Sequence, residues 1–278
     1  MTTSIQTTPI SRVWPRQSHL KRRAQLLLSG MAGFAAIALT FEIIARMELV
    51  NPKLFPPASV VLPRAVELLV EPAFLTEVGA TLTATLLGVG IGFVIAVPAG
   101  LLIGSYSAVS LGATPIIDFL RSVPGIAIIP LLVLTLGQGL SMKVAIVLYV
   151  AVWPMLFNTV YGVRGVDRVA LETARSFRMG TVKTWFRVVL PSALPLILTG
   201  LRLALSTGLT VAIAAEITVG TNDGVGYYIL LASYSGLNHD TVFAAVILAG
   251  VLGFGLNWLT TRLSDRFIAW DTRGGAAS

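Results

Sequence analysis

The sequence predicts an all-α, polytopic membrane bundle of six transmembrane helices with both termini in the cytoplasm, and three observations carry this prediction. Of the 278 residues, 55% are hydrophobic and 12% charged, with a mean hydropathy of +0.83. Soluble domains carry about 25% charged residues, so a soluble globular protein is excluded. Six apolar runs each reach the roughly 20 residues that a helix needs to cross a bilayer. Lys and Arg cluster in the segments that six crossings place on one side.

The first predicted span, 24–46, follows a polar tail, 1–23. Its apolar run is nearly twice as long as the h-region of a secretory signal, about 7–15 residues, so we expect an uncleaved helix. The remaining spans are predicted at 80–104, 116–136, 142–163, 193–219 and 242–262, followed by a tail, 263–278. Lipid offers no partner to free backbone groups, so each span must be helical. The alternating strands of a membrane β-barrel are absent from the sequence pattern.

The orientation follows from the positive-inside rule. The N-terminal tail holds five Lys or Arg residues and the segment 164–192 holds six, whereas 220–241 holds none. Six spans place the tail, 164–192 and the C-terminus on one side, which is therefore predicted to be the cytoplasm. The net charge of +7 is explained by these loops and does not call for nucleic-acid binding. The loop 105–115, also predicted to be inside, carries no Lys or Arg.

The segment 47–79 is predicted to lie outside and to contain an amphipathic helix at the membrane surface. Its apolar positions fall near one face at helical spacing, with charged residues on the other face. The apolar positions are Val61, Leu62, Ala65, Val66, Leu69 and Val70, and the charged ones are Arg64, Glu67 and Glu71. A solvated loop helix is the alternative.

The chain lacks the residues for most catalytic chemistry. It has no cysteine, and its two histidines, His19 and His239, lie outside the spans. No Gly-Lys dipeptide occurs, which excludes a Walker A phosphate loop. We therefore predict no catalytic residue, metal site or cofactor on this chain. If ATP is used, another chain must bind it.

Ionisable groups inside the spans are costly and tend to face the bundle interior. Asp118 and Arg121 are spaced to pair along one helix face. Arg202 is placed to extend toward the cytoplasm, and Glu216 near the outer end of its span, within reach of water. Structural pairing and contact with a transported solute both stay open. The pathway or bundle-interior candidates are Asp118, Arg121, Pro124, Arg202 and Glu216.

Proline and glycine also mark the spans. Pro124 is one of several prolines predicted to kink a helix. Small residues let helices approach closely. The glycines to which we assign this role are Gly88, Gly90, Gly92, Gly100 and Gly104.

The segment 164–192 carries the most specific pattern. Asp167 is placed to cap a helix that begins at Arg168. Gly180 is predicted to break this helix, and a second basic amphipathic stretch, 181–189, to end at Pro191. An apolar ridge formed by Leu171, Ala174 and Phe177 or Arg178 is expected to enter a groove on a partner, with Arg175, Arg178 and Lys183 meeting carboxylates at its rim. The alternative is a helix that rests on anionic lipid.

The triplet Glu172-Thr173-Ala174, followed by Leu190-Pro191, resembles the EAA loop of ABC-importer permeases. The surrounding sequence is similar to the branch that serves nitrate, aliphatic sulfonates and taurine, from about residue 55 to 270. Other stretches that carry the resemblance are Leu120 to Pro124, Gly200-Leu201-Arg202, Ala214-Ala215-Glu216 and Gly224 to Tyr227. The family carries glycine six residues after the glutamate, where this chain has Arg178. Either the bend has shifted toward Gly180 or the first helix is longer.

The resemblance implies a type I permease fold, an ABC transmembrane domain over 80–262 and a location in the bacterial inner membrane. It implies that ATP and Mg are bound by two partner ATPase subunits. It further implies a second permease copy in a homodimer and an extracytoplasmic solute-binding protein. The transported solute is expected to be nitrate-, sulfonate- or taurine-like. The residues to which it assigns ATPase coupling are Glu172, Thr173, Ala174, Arg175, Phe177, Arg178 and Gly180.

Two other classes of protein fit the sequence less well. A secondary transporter or channel predicts an ion-coupling charge network or inverted repeats, and neither is evident in the sequence. An intramembrane enzyme needs a nucleophile with a nearby base, or a set of metal ligands. The chain has no cysteine and its two histidines lie outside the spans, so the sequence offers neither arrangement.

Overall fold

The computed structural model describes residues 19–47, 54–236 and 239–267, and all regular structure within these ranges is helical. The sequence predictions for most of the N-terminal tail, for 268–278 and for 48–53 fall outside the described residues. The helices are α1 (His19–Arg46), α2 (Ala58–Leu68), α3 (Pro72–Ser105), α4 (Ser107–Ser122), α5 (Gly125–Leu136), α6 (Leu140–Arg164), α7 (Arg168–Ser176), α8 (Thr181–Thr184), α9 (Leu190–Val219), α10 (Val225–Tyr234) and α11 (His239–Phe267). A π-helical turn, Trp185–Val189, joins α8 to α9.

The chain divides into two compact units, Met1–Ser59 and Val60–Ser278. In the first unit, α1 contains a candidate span, Leu28–Arg46, with a mean hydropathy of 1.8. Near its end, the Glu42 carboxylate accepts hydrogen bonds from the backbone N–H and the hydroxyl of Ser59, each at 3.0 Å. Glu42 also pairs with Arg46 at 2.6 Å.

In the second unit, α6 packs between α3 and α9. Glycines let α3 approach α6 closely: a Cβ at Gly88 would lie 2.6 Å from the Val147 side chain, and one at Gly104 would lie 2.7 Å from that of Val163. The contacts advance in the same direction along both helices, so α3 and α6 are parallel. Gly90 faces open space, so its predicted role in this contact is wrong.

Helix α9 runs antiparallel to α6. A Cβ at Gly162, near the end of α6, would lie 3.0 Å from Ala193, near the start of α9. At the opposite end of the bundle, Lys143 of α6 lies 3.4 Å from Glu216 of α9. The three helices bury small and branched apolar side chains between them, including Val89, Ala151 and Ala204. This is the core that positions the segments at both ends of the bundle.

The predicted span 116–136 is not one continuous helix, and the kink predicted at Pro124 is confirmed. The span is divided between α4 and α5, which meet at an angle of 85°, and most of the predicted loop 105–115 belongs to α4. Pro124 excludes the helical conformation for the preceding Val123, whose backbone is extended at φ −75° and ψ 120°. The Tyr149 hydroxyl lies within hydrogen-bond distance of the carbonyl oxygens of Leu120 and Val123, which compensates for helical bonds lost at the break.

The bent pair of helices, α4 and α5, nevertheless connects the two ends of the bundle. Because α3 and α6 are parallel, the segment between them must return from one end to the other. Among the described residues, five helical runs are long and apolar enough to cross a membrane, and the bent pair supplies a sixth crossing. The predicted six-helix, all-α architecture is therefore confirmed, with shifted bounds: α3 begins at Pro72 and α11 at His239.

Helix α2 is amphipathic, but its inward face differs from the predicted one. Val61, Ala65 and Leu68 are buried, whereas Val66 and Leu69 are exposed. Spacings of four and three residues keep the buried side chains on one face of the helix. The prediction omitted Leu68 because it assigned the face from a longer run that extended past the end of the helix.

Candidate functional site

The segment 164–192 begins with the predicted capped helix. The Asp167 carboxylate accepts a hydrogen bond from the backbone N–H of Val169 at 2.9 Å, and α7 starts at Arg168. A side-chain cap of this kind satisfies one of the N–H groups that the first helical turn leaves free. The cap confirms the predicted start of the helix and allows a short helix to persist at the end of the bundle.

The helix ends through Arg178, which adopts the left-handed conformation with φ 52°. The backbone N–H of Met179 donates to the Ala174 carbonyl at 3.0 Å, and that of Arg178 donates to Arg175 at 2.8 Å. These two bonds form a Schellman motif, in which glycine usually occupies the left-handed position. The predicted break at Gly180 is wrong: Gly180 has φ −64° and precedes α8. The bend lies at the sixth residue after Glu172, so it has not shifted.

The predicted docking ridge is also wrong in part. Ala174 is buried, and Leu171 packs against a cluster in the bundle that includes Val163 and Val189. These two side chains therefore cannot enter a partner's groove. The exposed apolar side chains of the segment are Val169 (66% exposed), Phe177 (77%), Val182 (70%) and Phe186 (68%). Of these, only Phe177 was predicted, because the predicted ridge assumed a single apolar face on a helix that has two.

The second basic stretch does not end at Pro191. It continues through the π-helical turn into α9, so that 181–219 is one helical run. The Leu190 N–H donates to the Trp185 carbonyl, five residues back, and the next residue, Pro191, has no N–H to donate. A π turn changes the hydrogen-bond register and removes the clash that proline causes inside an α-helix. The end of the segment is thereby joined rigidly to a long helix of the bundle.

The charged candidates in the spans are mostly paired. Asp118 and Arg121 form the predicted ion pair at 3.0 Å on α4, and both side chains are about half exposed. The Arg121 guanidinium also lies 5.3 Å from the centre of the Phe157 ring. Arg202, which was predicted to reach toward the cytoplasm, donates a hydrogen bond to the Asn257 side chain of α11.

Glu216 is buried completely, so the prediction that water reaches it is wrong. Its carboxylate accepts hydrogen bonds from the Thr81 hydroxyl and the Gly226 N–H, each at 2.9 Å, and pairs with Lys143 at 3.4 Å. Lys143 reaches the Asp223 carboxylate at 2.8 Å. The sequence pattern placed Lys143 at the very start of the predicted span 142–163 and revealed no charge network. The structure contains one, formed by Lys143, Glu216 and Asp223.

This network holds the N-terminus of α10. The N–H groups of Gly224, Val225 and Gly226 donate to Glu77, Thr81 and Glu216, respectively. Gly224 has φ +112°, and a Cβ there would lie 2.2 Å from the Glu216 carboxylate, so the position requires glycine. The network therefore joins α3, α6, α9 and α10, and its charges are satisfied within the chain.

A second charged group joins α2 and Glu71, the residue that precedes α3, to α10 and α11. Arg64 donates to Thr241 at 3.0 Å and pairs with Glu67 at 2.9 Å, and the bond to Glu67 raises the pKa of the guanidinium. The Tyr228 hydroxyl donates to Glu71 at 3.3 Å. Burial raises the pKa of the Tyr228 phenol, and the Glu71 charge acts in the same direction. Within the described ranges, no group of three or more Asp, Glu or His side chains could hold a metal ion.

Several proteins of known role are similar to this chain over most of its length. The bicarbonate transport system permease protein CmpB of Synechococcus elongatus is 33% identical over 272 residues, which are 92% of each chain. The taurine transport system permease protein TauC of Escherichia coli is 28% identical over 263 residues, again 92% of each chain.

Solved structures share the fold at lower identity. The methionine ABC transporter MetNI in an inward-facing conformation superposes with a TM-score of 0.63 at 20% identity, over 70% of this chain and 96% of that one. A bacterial ABC transporter involved in the import of the acidic polysaccharide alginate gives 0.55 at 18%, over 89% and 96%. The profile of the binding-protein-dependent transport system inner membrane components matches residues 88–269. The chain belongs to this family, the membrane-embedded permeases of ABC importers.

Proposed function

We propose that this permease couples to a separate ATPase through α7 and the turn that follows it, and that two copies enclose the pathway. Each copy would dock on one of two cytoplasmic ATPase subunits that bind ATP and Mg. An extracytoplasmic binding protein would deliver the solute. A nucleotide-driven change in the ATPase pair shifts the permease between conformations only if one conformation is favoured differentially.

The observation that carries the proposal is the exposed apolar surface of 164–192. Val169, Phe177, Val182 and Phe186 are each about two-thirds exposed or more, in a segment that also carries Arg175, Arg178 and Lys183. Lipid-facing side chains account for exposed apolar area along the spans, but α7 is a short helix at the end of the bundle, and three of its 9 residues are charged. Aromatic side chains are enriched at the centres of protein interfaces. Phe177 is therefore the proposed anchor in the ATPase.

We expect Phe177→Ala to reduce both recovery of the ATPase with the tagged permease and solute uptake. Loss of a buried aromatic anchor at an interface costs about 2 kcal/mol or more, which is about thirtyfold in affinity. The measurement is co-purification in mild detergent, with uptake followed in a strain that lacks the chromosomal copy.

Phe254→Ala provides the matched control. Phe254 lies on α11 and is 70% exposed, so the same truncation removes the same side chain from a surface outside the segment. Equal co-purification and uptake for Phe177→Ala and Phe254→Ala would contradict the proposed interface. Uptake that persists after ATP depletion would instead favour a secondary transporter.

For the solute, we propose a small oxyanion or zwitterion of the nitrate, sulfonate, taurine or bicarbonate class. This proposal is supported by two relatives, one named as a bicarbonate permease and one as a taurine permease, each aligned over 92% of this chain. The same uptake assay, run with each labelled solute in turn, tests the class. A deletion strain that takes up all four at the wild-type rate would exclude it.

A further inference from the structure

A cavity of about 450 Å³ lies between α7 and the ends of α3 and α6. Its walls are completed by Met179, by α8 and by the π-helical turn. The polar and charged residues that line it are Ser105, Tyr106, Arg164, Arg168, Arg175, Thr181, Thr184 and Trp185. No Asp or Glu is among the lining residues, so the cavity is electropositive.

The positive charges around this cavity have no acidic partner among the described residues. Arg168 and Arg175 form no ion pair or side-chain hydrogen bond within the part of the chain that the structure describes. Seven residues apart on α7, they project from the same face of the helix. Arg164 donates to the Ser110 hydroxyl at 2.7 Å, a neutral acceptor that leaves its charge uncompensated. Three guanidinium groups around one volume favour an anion.

A buried hydroxyl points to the same ligand. The Ser105 Oγ is shielded from solvent and has no hydrogen-bond partner among the described residues. Buried polar atoms without a partner are rare in proteins and call for an explanation. Ser105 lines the same cavity as the arginines. Because no water-sized atom reaches the Oγ in this rotamer, the hydroxyl donates to an anion held by the guanidinium groups only after the side chain rotates about its Cα–Cβ bond.

We propose that this basic cavity is a binding site for a phosphate-type oxyanion, held by Arg168 and Arg175 and by the Ser105 hydroxyl. Guanidinium groups match the geometry of phosphate oxygens. The volume of about 450 Å³ falls within the range of small-ligand pockets, about 300–1,000 Å³, and accommodates a phospholipid headgroup or a free phosphate compound. The site goes beyond the proposed coupling role, because the proposed anchor in the ATPase, Phe177, does not line this cavity; Arg175, which the resemblance assigns to coupling, is the one residue that the two proposals share.

The test uses the purified full-length chain without any partner. Native mass spectrometry in the presence of phosphatidylglycerol or phosphatidylcholine measures lipid retention, and a parallel titration uses inorganic phosphate as a competitor. We expect one phosphatidylglycerol per chain and preference over the zwitterionic lipid. Arg168→Gln and Ser105→Ala should each weaken the affinity about tenfold, the typical effect of losing one hydrogen bond to a charged group.

Arg187→Gln is the matched control, because Arg187 is exposed on the same segment, makes no ion pair within the described residues and does not line the cavity.

Displacement of the lipid by millimolar phosphate would show that the phosphate group alone is enough for binding. Retention of the lipid despite phosphate would assign the site to a lipid headgroup. Equal affinities of the wild type and Arg168→Gln would overturn the proposal. So would an equal loss in Arg187→Gln, which would indicate general charge attraction. Thermal unfolding of each variant separates lost binding from lost folding.

Discussion

Arg178 has a left-handed backbone conformation, which is unfavourable for residues other than glycine. Its φ of 52° is the only positive value for a non-glycine residue in the described part of the chain. The left-handed region places the Cβ close to the following carbonyl oxygen and costs about 1–2 kcal/mol. The Schellman hydrogen bonds of Arg178 and Met179 offset this cost. The family's usual glycine is therefore replaced without any change in the position of the bend.

We expect Arg178→Gly to make the end of α7 more stable by about 1 kcal/mol, because glycine adopts this conformation without the steric cost. Hydrogen exchange of the α7 amides should slow about fivefold. Arg175→Gly makes the same substitution in the last turn of α7, where the backbone is still helical and glycine costs up to about 1 kcal/mol, and should accelerate hydrogen exchange. Faster exchange in Arg178→Gly would contradict the strain inferred at this residue.

Lys143 and Glu216 show how the surroundings of a residue set the cost of burying its charge. An unpaired buried charge costs several kcal/mol, whereas this pair has hydrogen bonds for its remaining donors and acceptors. In the sequence, Lys143 stands at the start of the predicted span 142–163, with no acidic residue nearby. Its partner is 73 residues away, so no local pattern connects them.

At the scale of elements, the contact of α3 with α6 depends on a stripe of glycines. Gly88, Gly92, Gly100 and Gly104 stand four or eight residues apart along α3, and each of them meets a side chain of α6. A Cβ at Gly100 would lie 2.7 Å from the Thr159 side chain, closer than side chains pack. Gly90, two residues from this stripe, meets nothing within 4 Å. The small-residue pattern was visible in the sequence, but the face that carries the contact was not.

We expect Gly100→Ala to lower stability by about 1–3 kcal/mol, the usual cost of overpacking a tight contact. Gly90→Ala should be neutral or slightly stabilising, because alanine favours the helix over glycine. Thermal unfolding in detergent, followed through the five tryptophans, measures both. Equal midpoints for the two variants would show that α3 and α6 are not held by this close approach.

At the scale of the whole molecule, the structure makes the orientation testable. The helical run 181–219 separates Val182 from Asn222, so the two residues lie at opposite ends of the bundle. Both are exposed, and the chain has no native cysteine, so single-cysteine variants give unambiguous labelling.

We expect a membrane-impermeant maleimide to label Asn222→Cys in intact spheroplasts and Val182→Cys only after permeabilisation. This result follows if the basic segment 164–192 is cytoplasmic, as the positive-inside rule predicts. Labelling of Val182→Cys alone in intact spheroplasts would reverse the orientation. The ratio of labelling before and after permeabilisation is the measured quantity.

Properties that depend on local composition and spacing could be predicted before the fold was known. Apolar runs identified the membrane class and the number of crossings, because lipid demands long helices of continuous apolar character. Asp167 identified the start of α7, because a cap acts on backbone groups two residues away. The EAA resemblance identified the family for the same reason, since its residues stand together in the chain.

Which side chains meet across the bundle could be read from the folded chain alone. The fold places Leu171 and Ala174 inward and leaves Phe177 exposed, and it sets the bend that was expected at Pro124 to 85°. It also joins Glu216 to Lys143 and places Arg168 and Arg175 around one cavity. The local sequence does not show which face of a helix with two apolar faces is buried. Nor does it show which of several candidate partners a charged side chain contacts. The free energy of burial and pairing depends on neighbours that are distant in the chain, and only the folded bundle brings them together.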